Sequence, residues 1–193
     1  TRSTLTANLS SAQKLYLTVS GQNIVIYLHH AFPGTCRQRG HLKLLLSGTK
    51  MSVNMVGTLS APGKKIIFET HEVPTPKGDE ICMRIKASGC CHTDVHICAG
   101  ELGTENFPIH PCHEGTGIVH RMGDLVDRGR FSIGDHIGIP WLGDSCGSCE
   151  NCETAHEQLC KYQKNTGFSA QGPCSDYVII KASHAVKIPT GLS

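Results

Sequence analysis

Four cysteines lie close together in the later part of the chain, in the pattern C-x2-C-x2-C-x7-C. They are Cys146, Cys149, Cys152 and Cys160. Four thiolates at such short spacing can surround one tetrahedral Zn²⁺, which is the usual arrangement of a structural zinc site. Cys91 and His113 supply a second pair of zinc-binding residue types. One all-sulfur site and one mixed site in a single chain indicate a zinc enzyme.

Two other kinds of sulfur chemistry compete with zinc for the four cysteines. A ferredoxin-type iron–sulfur cluster uses C-x2-C-x2-C-x3-C followed by proline, whereas here the last gap is seven residues and Lys161 follows. Disulfides would have to form within a tight loop, where C-x2-C geometry is unfavourable. We therefore predict a structural zinc ion that folds this loop, so that losing one ligand, as in Cys152→Ala, disorders it.

Composition limits the partners and the compartment. The chain has 193 residues, eleven cysteines and a formal net charge of +2. Residues 61–193 hold 12 basic and all 16 acidic residues, a net of −4, which argues against nucleic acid as the main partner. The odd cysteine count and the metal-type spacing favour reduced thiols in the cytoplasm. The longest apolar run, residues 24–28, is too short to span a membrane.

The first sixty residues differ from the rest. They contain six Lys or Arg and no Asp or Glu, and their apolar residues follow no steady period. We predict an irregular, poorly ordered basic leader over residues 1–60. A mitochondrial transit peptide is one interpretation, because such peptides are rich in Arg and Ser and poor in acids. Upstream sequence translated in error, with Met51 as the natural start, is the interpretation we favour.

From residue 61 the pattern predicts short strands. Residues 81–87 alternate, with Ile81, Met83, Ile85 and Ala87 on one face, as in a half-buried strand. Further strands are predicted at residues 65–69, 117–122, 136–140, 176–180 and 185–188. Many short strands with few helical windows indicate a small β-barrel or sandwich. No G-x-G-x-x-G or G-x-x-x-x-G-K-[ST] segment follows a strand, so no nucleotide-binding domain is predicted.

Three motifs, in order, resemble the zinc-dependent alcohol dehydrogenases of the medium-chain dehydrogenase/reductase family. Residues 113–117, with Gly123 and Val126, resemble its signature G-H-E-x2-G-x5-G-x2-V. Residues 91–96, Cys-His-Thr-Asp-Val-His, resemble its first-ligand segment, and the four cysteines resemble its structural-zinc lobe, here about residues 142–165. The resemblance covers residues 61–193. It implies the GroES-like N-terminal domain: mainly β, a partly open β-barrel with short helices and a zinc lobe, without a Rossmann domain.

The resemblance also implies a catalytic zinc site. Cys91 and His113 match two of its three protein ligands, and a fourth position is left for the alcohol. Asp94 and Glu114 match carboxylates that orient those ligands and adjust the charge around the metal.

Other roles follow from the same segment of the family. Thr93 matches the hydroxyl that binds the substrate oxygen, and His96 matches the residue that passes its proton to solvent. His92 matches a position that contacts the pyrophosphate of the cofactor. The implied cofactors are Zn²⁺ and NAD(P), the implied substrate is a small alcohol or aldehyde, and microbial relatives are often tetramers.

Two departures from the family pattern matter. Cys112 stands where the signature has Gly, a residue that usually serves an unusual backbone angle or a close approach. The third catalytic ligand of the family, a cysteine, would follow Ser193, as would the Rossmann domain. Cys174 lies near the end of the chain, but its motif position matches a residue that precedes a strand rather than a ligand.

We therefore expect a truncated zinc-dependent alcohol dehydrogenase. The intact enzyme would oxidise a primary or secondary alcohol to an aldehyde or ketone and transfer hydride to NAD(P). The 193 residues alone are expected to be inactive. The alternative is a non-enzymatic zinc-binding remnant or interaction module.

Overall fold

The computed structural model describes residues 53–192 and, before them, the backbone of two strands. These two are β1 (Gln13–Ser20) and β2 (Asn23–His30). Most of the remaining strands are short and the helices are few, as the sequence predicts. The elements are β3 (Val53–Thr58), β4 (Ile67–Glu72), β5 (Glu80–Cys90), α1 (His92–Ala99), β6 (Glu114–Met122), β7 (His136–Ile139), β8 (Leu142–Asp144), α2 (Glu150–Glu153), a 3-10 turn (Glu157–Leu159), β9 (Lys164–Asn165), β10 (Tyr177–Lys181) and β11 (Val186–Lys187).

The long strand β5 lies at the centre of a seven-stranded sheet with the order β11-β7-β6-β5-β1-β2. One edge of β5 pairs with β6. The other edge is shared, because β10 pairs with residues 80–84 and β1 with residues 87–90. Two small two-stranded sheets, β3-β4 and β8-β9, complete the mainly β architecture. The C-terminal end of β5 leads directly into α1, and this junction carries Cys91.

The buried face of β5 agrees with the predicted alternation at three of its four positions. Ile81, Met83 and Ile85 are each 1% exposed or less. A β-bulge between Ile85 and Ala87 adds one residue to the strand and reverses the alternation. Ala87 is therefore only half-buried, and Ser88 is buried in its place.

The main core lies between the inner faces of the sheet. It is built from side chains of β5, β6, β7, β10 and the loops between them, namely Ile81, Met83, Ile85, Val119, Val126, Phe131, Ile137, Ile139, Val178, Ala182 and Ala185. A smaller cluster of Leu59, Ile97 and Ile109 packs α1 against the rest of the domain. These clusters fix the ends of β5 and β6, where the candidate site residues lie.

Strands occupy parts of the segment that was predicted to be irregular. β1 and β2 lie within it, and β3 extends the ordered domain back to Val53. β3 is fixed by contacts distant in sequence, since Asn54 exchanges two hydrogen bonds with the backbone of Tyr177, at 3.0 and 2.8 Å. The boundary at residue 60 was therefore placed too late. The hypotheses of a transit peptide and of a start at Met51 lie outside the described residues.

No helix in the described part of the chain is long and apolar enough to cross a membrane.

Candidate metal centres

The sulfur atoms of Cys146, Cys149, Cys152 and Cys160 converge on one point. All four lie within 4.8 Å of one another. The Sγ of Cys146 lies 3.6 Å from that of Cys160 and 3.9 Å from that of Cys152, and the Cys149 and Cys152 sulfurs are 3.6 Å apart. A tetrahedral Zn²⁺ with bonds of about 2.3 Å requires sulfur atoms about 3.8 Å apart. The four sulfurs therefore fit a zinc ion.

The lobe that carries these cysteines, residues 142–165, has almost no core of its own. Cys160 is its one buried residue, while α2 buries none and Leu159 and Tyr162 are about 60% exposed. Hydrophobic burial therefore contributes little to the fold of this lobe. Its local structure consists of β8, α2, the 3-10 turn and β9, each four residues long or shorter. The sulfur cluster takes the place that apolar side chains hold elsewhere.

Electrostatics in the lobe favour a thiolate. The backbone N–H of Ser148 donates a hydrogen bond to Cys146, and the nearby sulfurs of Cys160 and Cys149 add to its effect, so that the pKa of Cys146 falls to about 6. A thiol must lose its proton before it can bind a metal ion. Cys146 therefore offers a charged ligand at neutral pH.

The second predicted pair also comes together. The Sγ of Cys91 lies 3.2 Å from Nε2 of His113, although the residues are 22 positions apart. A carboxylate oxygen of Glu114 completes a group of three ligand atoms within 4.8 Å. For a zinc ion with one sulfur and one nitrogen ligand, tetrahedral geometry requires a separation of about 3.6 Å. The pair is slightly closer than this and fits the ion after a small adjustment.

Cys91 and His113 are positioned by two different elements. Cys91 is the N-cap of α1, and its sulfur accepts a hydrogen bond from the backbone N–H of Thr93 at 3.3 Å. The first turn of a helix carries partial positive charge, which suits an anionic ligand. His113 directly precedes β6 and is 8% exposed.

Asp94 joins the two segments. This carboxylate is only 2% exposed, and it accepts hydrogen bonds from the backbone N–H of Cys91 at 2.9 Å and from that of Cys112 at 3.0 Å. Its Oδ1 also lies 3.3 Å from Nδ1 of His113, without the alignment of a hydrogen bond. One buried side chain thus holds the backbone beside both candidate ligands and contacts the imidazole itself.

The same carboxylate controls the protonation of His113. Asp94 raises the pKa of His113 to about 9, against the opposing effect of burial, and Cys91 contributes further. The metal-free imidazole therefore carries a proton at neutral pH. A metal ion would have to displace that proton in order to bind.

The other predicted residues of this segment lie along α1. Thr93 is half-buried and His92 is exposed. The rings of His92 and His96 meet edge to face at 4.6 Å. His96 forms a hydrogen bond through Nδ1 to the carboxylate of Glu101, a partner that the sequence analysis missed. Gly100, in left-handed conformation, ends the helix and turns the chain so that Glu101 faces back to His96.

The backbone at Cys112 explains why the signature has glycine at this position. Cys112 has a φ of +75°, in the region that favours glycine. Two glycines pack against its backbone: a Cβ on Gly167 or Gly172 would lie 2.1 or 2.2 Å from the carbonyl oxygen of Cys112. The Cys112 thiol is buried beside Cys174 and Cys90. The segment therefore adopts a backbone conformation that favours glycine, although its residue is cysteine.

An open cleft of about 650 Å³ lies beside the mixed site, and it contains residues that the sequence analysis missed. The Trp141 ring meets that of His113 edge to face at 5.0 Å. The hydroxyl of Ser88 is buried and has no hydrogen-bond partner among the described residues. The available signal for Trp141 was that it is the one tryptophan in the chain and directly follows the predicted strand 136–140. Apolar lining beside ligand atoms suits a small organic substrate.

Comparison with protein families finds one matching model. Residues 77–190 match the model described as the alcohol dehydrogenase GroES-like domain. Among curated proteins, alcohol dehydrogenase 1 of Emericella nidulans is 40% identical over 131 residues, which are 67% of this chain and 37% of that protein. An alcohol dehydrogenase of Geobacillus stearothermophilus is 40% identical over 129 residues, which are 65% of this chain and 38% of that protein. The chain thus spans less than two-fifths of the length of these relatives.

Solved structures of similar fold belong to the same class. A short-chain alcohol dehydrogenase from E. coli, complexed with NADH, has a TM-score of 0.66 and 27% identity, over 74% of this chain and 40% of that one. A thermostable alcohol dehydrogenase from Pyrobaculum aerophilum, with cobalt and zinc bound, has a TM-score of 0.65 and 26% identity, over 73% and 43% of the respective chains.

Proposed function

Since this chain belongs to the family of alcohol dehydrogenase GroES-like domains, we propose that it provides the metal-binding part of a zinc-dependent alcohol dehydrogenase. The proposed reaction is the oxidation of a primary or secondary alcohol to an aldehyde or ketone, with hydride transfer to NAD or NADP. The observation that carries the proposal is the approach of the Cys91 sulfur to within 3.2 Å of the His113 imidazole. The same chain also contains a complete set of four cysteines.

Cys91 and His113 would hold the catalytic zinc ion, and the four lobe cysteines a structural one. Zinc bound at the first site supplies a positive centre that polarises an alcohol oxygen, and a nicotinamide cofactor supplies the hydride acceptor. Asp94 supports this assignment, because it fixes the backbone at both ligand segments. Glu114 lies close enough to balance the charge of the site.

The proton of the alcohol needs a route to solvent. We propose that the hydroxyl of Thr93 accepts this proton first and that His96 then passes it to solvent. His96 suits this role because its side chain is 43% exposed and an imidazole has two ring nitrogens that can donate and accept hydrogen bonds. Glu101 holds the Nδ1 side of that ring. It thereby leaves Nε2 to take up and release the proton.

We further propose a role for His92, a compartment and an assembly state. His92, exposed next to His96, is assigned to the phosphates of the cofactor. A cytoplasmic location is proposed, and the ten free cysteines among the described residues support it. A homo-oligomer is proposed from the family alone.

Metal content tests the proposal directly. We expect about two zinc ions per chain, and about one after Cys91→Ser or His113→Ala, with His184→Ala as a control that keeps both. Replacement of zinc by Co²⁺ then separates the sites, since an open site binds an added ligand such as imidazole and changes its visible spectrum, whereas a closed site of four cysteines does not. A full complement of metal in Cys91→Ser would contradict the proposed catalytic site.

A second function, a zinc-binding module without turnover, is favoured by one observation. The four-sulfur site is complete within the described residues, whereas the mixed site offers Cys91, His113 and Glu114. This alternative predicts about one metal ion per chain and no spectral response to imidazole in the Co²⁺ protein. The 193 residues alone are expected to give no alcohol-dependent NADH, so the metal measurements rather than turnover discriminate between the two functions.

A further inference from the structure

The end of the sheet opposite to α1 carries a cluster of basic and aromatic side chains. Arg84 on β5 pairs directly with Tyr177 on β10. Arg121 on β6 pairs with Cys82, two residues before Arg84. Directly paired residues, and residues two apart on one strand, point to the same side of a sheet. Both guanidinium groups and the phenol therefore lie on one outer face, about 20 Å along β5 from Cys91.

A β-bulge adds a histidine to this face. Arg121 pairs with Cys82 and Val119 with Met83, so His120 is the extra residue between them. In a bulge two successive residues oppose one residue of the partner strand, and the usual alternation is lost. The ring of His120 accordingly lies 5.0 Å from that of Tyr177, while Val119 stays in the core.

Among the described residues, no acidic group forms an ion pair with the charges on this face. Arg84 and Arg121 are both exposed, and neither forms an ion pair among the described residues. Residues 1–52 contain no Asp or Glu that could serve as a partner. The carboxylate of the neighbouring Asp176 is engaged by the backbone N–H of Met55 at 2.9 Å. Two like charges on one face repel each other unless an anion lies between them.

The aromatic residues offer hydrogen-bond donors on the same face. Burial, together with Arg121 and Arg84, lowers the pKa of His120, which is therefore neutral at neutral pH. Its Nε2 is buried and has no partner among the described residues, and in the tautomer that carries its proton on Nε2 it would donate to an incoming oxygen. Burial raises the pKa of Tyr177, so its hydroxyl keeps the proton that it can donate. A buried polar atom without a partner costs free energy that an incoming oxygen atom would recover.

We propose that Arg84, His120, Arg121 and Tyr177 form a binding site for the phosphate group of a small soluble molecule, separate from both metal centres. Guanidinium groups bind phosphate oxygens through pairs of parallel N–H donors. A long polyanion is disfavoured because residues 61–193 carry 12 basic and 16 acidic residues, a net of −4. Two arginines on one face match one dianionic group.

Inorganic phosphate is the probe. Titrated into the zinc-loaded protein, it should cause saturable shifts of the amide NMR signals of residues 84, 120, 121 and 177. Arg84→Gln and Arg121→Gln should each weaken binding about tenfold or more. Lys65→Gln is the matched control, since Lys65 is exposed and forms no ion pair among the described residues; it should change the affinity less than about twofold.

One further variant and a second anion test the geometry and the charge of the site. Arg84→Lys retains the charge but not the planar pair of donors, so intermediate affinity supports the assigned geometry. Acetate, a monoanion, should bind at least about tenfold more weakly than phosphate. The proposal is overturned by equal affinity for acetate, by unchanged phosphate affinity in both Gln variants, by the absence of saturable shifts, or by shifts confined to the residues around Cys91 and His113.

Discussion

The two metal centres differ in what holds them together. The four cysteines of the lobe come from one segment of fifteen residues, with a single buried residue among the surrounding 142–165. Cys91 and His113 come from the ends of two paired strands, and a buried carboxylate joins their backbones. The first site has close spacing in sequence and little supporting structure. The second has wide spacing and a rigid support.

This difference separates two uses of a metal ion. In the lobe, a bound ion would replace a hydrophobic core, and its binding energy would be folding energy. In the mixed site the sheet and Asp94 position the ligands, so the protein does not need the ion in order to fold there. A site with that support can leave a coordination position open for a substrate, which a structural site cannot do without losing stability.

Removal of the lobe metal should have the largest effect. Binding of structural zinc contributes about 10–16 kcal/mol in small peptides, comparable with the whole stability of a domain. We expect Cys152→Ala, or a chelator, to abolish the ordered amide signals of residues 142–165 and to leave those of β5 and β6 in place. Cys98→Ala, outside the lobe, serves as the control. Intact lobe signals in metal-free Cys152→Ala would remove the basis of the comparison.

Asp94→Asn tests the support of the mixed site. The backbone N–H groups of Cys91 and Cys112 bind different oxygens of Asp94. Asparagine replaces one of these oxygens with an NH2 group, which cannot accept a hydrogen bond, so one of the two bonds is lost. We expect the free energy of unfolding to fall by about 3 kcal/mol, because a buried carboxylate loses a charge-assisted hydrogen bond. Zinc affinity of the mixed site should fall about 10–100-fold. Asp144→Asn, whose ion pair with Lys164 spans 3.9 Å at the surface, should do neither.

The pH dependence of zinc binding should distinguish the two centres further. His113 keeps its proton up to a pKa of about 9 in the metal-free protein, whereas Cys146 loses its proton at about 6. Between pH 6.5 and 9 the affinity of the mixed site should therefore rise about tenfold per pH unit from His113 alone, since binding displaces one proton. Competition with a chelator of known affinity measures this slope in Cys152→Ala, which lacks the lobe site. The same measurement is made after adding Asp94→Asn to the Cys152→Ala protein. An unchanged slope there would exclude Asp94 as the cause of the raised pKa of His113.

The difference between local and long-range contacts also explains which features the sequence could predict. The cluster of four cysteines was predicted from spacing alone, because its members are close in sequence. The alternation of Ile81, Met83 and Ile85 identified β5, but nothing in the pattern revealed the bulge that moves Ala87 out of the core. β3 was missed because it is held by Asn54 and Tyr177, which are 123 residues apart.

Helix α1 and its neighbours show a different limit. The helix has eight residues, and histidines and cysteines obscure its apolar period. Both ends of the helix have residues that are recognisable in the sequence. Cys91 and Asp94 form a capping box with Cys in the place of Ser or Thr, and Gly100 ends the helix. The contacts of His96 with Glu101 and of His113 with Trp141 depend on how the chain turns after the helix and after β7. Motif spacing carries no information about such contacts.

Substitutions at Cys112 test the mixed site with the smallest expected effect. Its φ of +75° costs a residue with a Cβ about 1 kcal/mol relative to glycine. Elsewhere in a protein, Ala is usually the more stable residue of the pair Ala and Gly. Here Cys112→Gly should exceed Cys112→Ala in free energy of unfolding by about 1 kcal/mol, as measured by urea denaturation of the zinc-loaded variants. At Cys98, within α1, the order should be the usual one, with Ala above Gly. If Ala were also the better residue at position 112, the mixed site would not rest on the left-handed backbone between Asp94 and His113.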